Sequence, residues 1–120
     1  MAKKYLFDVD LAREIVSDGR EPTEIDPDDV EYSVKSSVID EFHVPHVDIS
    51  IPGIISHIFF TQEDGEVVHG HVLIDGNHRA ARALQLGKPF FAHVLTRAES
   101  RRILLRKPTA RRRTAKRACR

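Results

Sequence analysis

Cysteine is nearly missing from this chain. A single thiol, Cys119, stands in 120 residues, so no internal disulfide can form, and a reducing, cytoplasmic setting is expected. Long hydrophobic runs are missing as well: no apolar stretch approaches the ~20 residues a membrane-spanning helix requires, and no membrane partner is expected. The opening Met1-Ala2-Lys3-Lys4-Tyr5 leads straight into acidic sequence without the apolar segment of a secretory signal. No internal repeat is visible, and the length suits one domain with room for a core. Acid is missing from the last twenty residues. Residues 1–100 carry all 18 Asp and Glu but only nine of the 19 Lys and Arg, whereas residues 101–120 carry ten basic groups and none acidic. The net charge of +1 therefore hides an acidic body and a polycationic tail.

What is present, 41% hydrophobic and 31% charged residues, is ordinary for a folded domain. The stretch from Val72 to Leu84 organises the rest. Val72-Leu73-Ile74 reads as a buried strand ending at Asp75, Gly76 allows a sharp reversal, and the Ala- and Leu-containing run after it favours helix. The first amides of such a helix lack internal partners and carry the positive end of its dipole. With Arg79 and His78 added, Gly76, Asn77, His78 and Arg79 form a candidate seat for a phosphate. Asp75 and His78 are the candidate catalytic pair. In the plainer alternative, Asp75 or Asn77 merely caps the helix and Arg79 is solvated.

Around this turn the pattern predicts an α+β fold, a small curved mixed sheet with flanking helices. Strands are expected near residues 44–60, 67–74 and 90–95, and helices near 9–18, 77–86 and 97–106. Leu11 and Ile15 share a face of the first helix, with Asp8 or Asp10 to cap it and Gly19 to stop it. The run from Glu24 to Asp29 reads as a solvated capping loop rather than a cation site, with a helical turn after Pro27. Residues 31–42 fit either a helical stripe (Val34, Val38, Ile39, Phe42) or the start of a strand. His43 to Gly53 reads as extended chain broken by prolines. Asp64-Gly65 is a hairpin turn, and Thr96 with Glu99 is a capping box. Residues 1–107 make the expected domain. Residues 108–120 make a basic tail, expected to be disordered in isolation. There Arg111, Arg112, Arg113, Lys116 and Arg117 suit sequence-independent nucleic-acid binding, or a return onto the acidic body.

Leu73-Ile74-Asp75-Gly76-Asn77-His78-Arg79-Ala80-Ala81-Arg82-Ala83 closely resembles the Asp-Gly-x-His-Arg motif of the ParB/sulfiredoxin superfamily. A preceding Pro-Gly-Ile-Ile strand, a hairpin, and a following Gly-Lys-Pro turn and strand resemble that family over about residues 40–105. The resemblance implies that the motif opens a helix whose backbone and arginine bind nucleotide phosphates. ATP or CTP is then the expected ligand, with Mg²⁺ bridging phosphates if the chain is a nuclease, a nucleotide hydrolase or a phosphotransferase. Sulfiredoxins carry a cysteine where Asn77 stands, so sulfinic-acid repair is not expected. Partition proteins of the family carry a Gly-Glu-Arg-Arg version and a downstream helix-turn-helix domain.

Seven histidines are generous for this length. His69 and His71 fall on one face of a strand, a spacing that suits a metal with a third ligand or simply lines the sheet. His43 and His46 form a weaker pair. His57 and His93, set among apolar neighbours, are expected to be packed and hydrogen-bonded. Asp48, Ser50 and Ser56 offer no Ser-His-Asp arrangement.

Overall fold

The computed structural model describes residues 5–106. The expected nucleic-acid tail, with Arg111, Arg112, Arg113, Lys116 and Arg117, lies outside the described residues, as does Cys119. The fold is a small α+β arrangement. In chain order it contains β1 (Leu6–Phe7), α1 (Val9–Ile15), β2 (Thr23–Glu24), α2 (Pro27–Lys35), β3 (Gly53–Thr61), β4 (Val67–Asp75), α3 (Asn77–Leu86), β5 (Phe91–Val94), α4 (Arg97–Ile103) and β6 (Leu104–Arg106). Two 3₁₀ turns, Val16–Asp18 and Val44–His46, complete it.

The main sheet has the order β2-β5-β3-β4. β3 and β4 form an antiparallel hairpin around Asp64-Gly65, β5 runs parallel to β3, and β2 is antiparallel to β5. A separate antiparallel pair joins β1 to β6. Two apolar clusters are packed on the main sheet. Val30 of α2 and Ala80 and Ala83 of α3 meet Leu73, Phe90 and Ala92, while Ala12 of α1 and Ile103 of α4 meet Ile54 and Leu95. The alanines of α3 let its backbone lie close to the strands, so a helix of modest hydrophobicity still seals one side of the core.

Local chemistry sets most boundaries. The Asp8 carboxylate accepts from the Leu11 amide and starts α1; Asp26 accepts from the Asp28 amide ahead of Pro27 and starts α2. Thr96 and Glu99 form the expected capping box at α4. Glu99 has a second task. Its two oxygens accept from Arg20 Nη1 at 2.9 Å and Nη2 at 2.8 Å, which ties the segment after α1 to α4.

Three sequence expectations need correction, and one open choice is resolved. Residues 44–52 are not strand: Val44–His46 is a 3₁₀ turn and β3 begins at Gly53. Pro45 and Pro52 have no amide hydrogen to give a ladder, which explains the late start. The helix expected over 97–106 ends at Ile103, because Leu104–Arg106 extend to pair with β1. The helix expected over 9–18 tightens into a 3₁₀ turn after Ile15. The open choice at residues 31–42 resolves as the second half of α2, followed by turns that leave Val38 97% and Phe42 88% exposed. The apolar stripe there is not a buried face.

Candidate functional site

The chain reverses where β4 meets α3. Gly76 takes φ +102°, a region that favours glycine, and no side chain caps the N-terminus of α3. Its first amides therefore have no side-chain partner. Gly53 of β3 lies against the same corner. A Cβ there would come within 2.7 Å of the Asp75 carbonyl oxygen and 2.8 Å of Phe90 Cζ, so the close approach of the two backbones requires glycine. The strand register shifts at this point: Ile55 pairs with Leu73, but Ile54 pairs with Asp75. The extra β4 residue, Ile74, is the physical signature of a bulge, which re-aims the side chains at the strand end. Leu73 packs with α2 and α3, whereas Asp75 meets Arg13 of α1 and lines a cleft with Ile54.

Asp75 is held by two guanidiniums. Arg13 of α1 donates from Nε to Oδ2 at 3.0 Å and from Nη2 to Oδ1 at 3.1 Å, a bidentate pair, and Arg79 Nη2 lies 3.2 Å from Oδ1. Burial pushes the Asp75 carboxyl up, but the Arg13 hydrogen bonds and the Arg79 charge outweigh it and hold the group below its ordinary value. Arg79 also donates from Nη1 to the carbonyls of Ile51 at 3.1 Å and Pro52 at 3.0 Å. It thereby pins the segment leading into β3.

Beside these groups lies a cleft of about 410 Å³. Arg13, Arg79, Asp75 and His93 form its polar wall; Val16, Ile51, Pro52 and Ile54 form its apolar wall. His93 sits opposite Ile54 across the parallel pair β3–β5. Its Nδ1 is buried without a hydrogen-bond partner, contrary to the expectation of a hydrogen-bonded histidine.

The sequence-derived set divides between two sides of α3. Asp75 and Arg79 line the cleft, and Gly76 lies against Gly53 and the Arg79 guanidinium without being part of the lining. Asn77 and His78 meet the segment after α2 instead: Ser37 Oγ lies 2.9 Å from Asn77 Oδ1, and His78 Nε2 accepts from the Asp40 amide at 3.0 Å. His43 meets the His78 ring edge-on at 5.0 Å. Arg13 and His93 escaped sequence reasoning as members of this corner. Arg13 lies 62 residues from Asp75 in an ordinary helix pattern, and nothing local announces their meeting.

A second cluster lies farther along the β3–β4 hairpin. His57 pairs with His71, and Phe59 pairs with His69. The rings of His57, His69 and His71 gather with centroids 4.6 to 4.9 Å apart, and His57 Nδ1 lies 2.6 Å from His69 Nε2. Burial, then the neighbouring histidines, push His57 down from its ordinary value, and burial likewise lowers His69. His57 was expected to be merely packed; the structure sets it, half-buried, beside His69 and His71. Counting outward from the Asp64-Gly65 turn would have placed it opposite His71. Among the described residues no other group of His, Cys, Asp or Glu converges in this way. The acidic run from Glu24 to Asp29 is not such a group; Asp26 serves as a cap. Asp48 accepts from the Ser50 amide and hydroxyl, and Ser56 Oγ donates to the His57 carbonyl.

No helix among the described residues is long and apolar enough to cross a membrane. No family model, curated protein or solved structure matches the chain.

Proposed function

We propose that this chain binds a phosphate-bearing ligand, a nucleotide foremost, in the cleft at the start of α3. The observation that carries this reading is the convergence of Arg13 and Arg79 on one cleft with an apolar wall, Arg79 standing in the first turn of a helix whose N-terminus has no side-chain cap. Guanidiniums and helix-terminal amides are the groups that hold phosphate oxygens, and an apolar wall suits a base or ribose. Arg13 is 59% exposed, so it can leave Asp75 for an incoming phosphate at small cost. The His93 side chain completes the polar wall, its Nδ1 buried behind the cleft surface. The same strand–turn–helix, with its Asp-Gly-Asn-His-Arg sequence, is the basis for proposing kinship with the ParB/sulfiredoxin superfamily. A cytoplasmic setting belongs to the proposal, as does nucleic acid as a further partner of the basic tail.

Binding is favoured over turnover. Asp75, paired with two arginines and held low, is a poor general base, and His78 is engaged with the Asp40 amide. Mg²⁺, where a nucleotide brings it, would bridge phosphates through phosphate oxygens and water. The alternative is a phosphotransferase, nuclease or nucleotide hydrolase, which requires Arg13 to release Asp75.

Calorimetric titration with a nucleotide panel including ATP and CTP, with and without Mg²⁺, tests this. Wild type is expected to bind, and Arg13→Ala and Arg79→Lys to bind at least about tenfold more weakly, the loss of one charge-assisted contact. Phosphate release during the titration would favour the enzyme; no binding by wild type rejects both.

A further inference from the structure

We propose that His57, His69 and His71 form a binding site for a single borderline divalent transition metal, Zn²⁺ in the first instance, separate from the phosphate cleft. The three imidazoles offer ligand nitrogens that all lie within 4.8 Å of one another. Nitrogens sharing a tetrahedral Zn²⁺ at Zn–N distances of about 2.0–2.1 Å stand about 3.3 Å apart, so small ring rotations suffice. His69 and His71 are exposed and free to make them, while the β3–β4 register fixes all three backbones on one hairpin.

The chemistry of the donor set selects the ion. A site of imidazoles alone suits Zn²⁺, Co²⁺, Ni²⁺ or Cu²⁺, and is a poor one for Mg²⁺ or Ca²⁺, which prefer oxygen. Three protein nitrogens leave one tetrahedral position for water or an anion, the pattern of open rather than structural zinc sites. The surroundings support the cluster from behind. Phe59 stacks on His69 with centroids 4.7 Å apart, and the Arg97 guanidinium lies 5.6 Å from the Phe59 ring centre. The Arg97 charge opposes a bare cation but complements an anionic fourth ligand such as hydroxide or carboxylate. Ser100 Oγ accepts from the His57 amide at 2.9 Å, which fixes the backbone of the least exposed ligand.

The site shares no residue with the phosphate cleft, so either can fail without the other. Tag-free, chelator-stripped protein titrated with Zn²⁺ and with Co²⁺ decides the matter. The expected result is one metal per chain, with the intense visible absorption of four-coordinate Co²⁺. Zn²⁺ affinity should fall by about 100-fold or more in each of His57→Ala, His69→Ala and His71→Ala, because even outer-shell changes cost 10- to 100-fold. Substituting the exposed His69 and His71 leaves the core intact, and circular dichroism verifies it. His46→Ala, an exposed histidine outside the cluster, should bind like wild type. Substoichiometric Zn²⁺ in wild type, or wild-type affinity in His69→Ala or His71→Ala, overturns the proposal.

Discussion

Arg13 grips Asp75 across 62 residues of sequence, Nε 3.0 Å from one carboxylate oxygen and Nη2 3.1 Å from the other. This pair joins the first helix to the end of β4 and sets the charge of the corner. One carboxylate stands between two guanidiniums and holds the two cations close together, while Asp10, 3.6 Å from Arg13 Nη1, adds a second carboxylate at the exposed rim.

Removing the carboxylate should therefore separate stability from anion affinity. Asp75→Asn is expected to lower stability by about 1–3 kcal/mol, because Arg79 is largely buried and loses its counter-charge. Inorganic phosphate should bind about fivefold more tightly, since a competing anion is gone. Arg13→Ala should cost only about 0.5–1 kcal/mol of stability, as expected for an exposed partner. Urea unfolding and calorimetry on the same samples check both.

Glu99 predicts an acid limb. Hydrogen bonds from Arg20 hold its carboxyl down at about 2, below the ordinary 4.5. The stabilisation is complete above pH 4.5 and is lost as pH falls from there toward 2. Wild-type unfolding free energy should drop through that window, by about 1–2 kcal/mol from this group after allowance for solvent screening. Glu99→Gln should start lower at neutral pH and lose less across the same range, read by urea unfolding at stepped pH.

Gly53→Ala should damage the corner from the strand side. The added Cβ meets the Asp75 carbonyl oxygen, a backbone atom, so the clash is not relieved by a rotamer change. A loss of about 2–3 kcal/mol is expected, with ligand affinity falling more than in Arg13→Ala. Thermal unfolding and nucleotide titration measure the two effects.

Features written within a few residues were legible in the sequence. The Asp75–Gly76 reversal, the Asp64-Gly65 hairpin, the Thr96–Glu99 box and the Asp8 cap each depend on residues no more than three positions apart. Features that depend on the register between distant segments were not. Arg13 and His93 reach the cleft through α1 packing and a parallel strand pair, neither of which leaves a local mark. Residues 44–52 misled because their apolar residues are spaced like a strand's while two prolines deny them the ladder. Asn77 and His78 sit in the motif yet face the segment after α2, since consecutive residues on a helix turn by about 100° and cannot all face one ligand.

The central claim is that phosphate is held by the uncapped start of α3 together with Arg13 and Arg79. A proton–nitrogen correlation spectrum of labelled protein, titrated with ATP and separately with inorganic phosphate, tests it most directly. The account predicts saturable shifts in the amides of Gly76, Asn77, His78 and Arg79 and in the Arg13 Nε–H signal, with Arg13→Ala weakening the response. Shifts confined to other residues, or none at millimolar ligand, would contradict it.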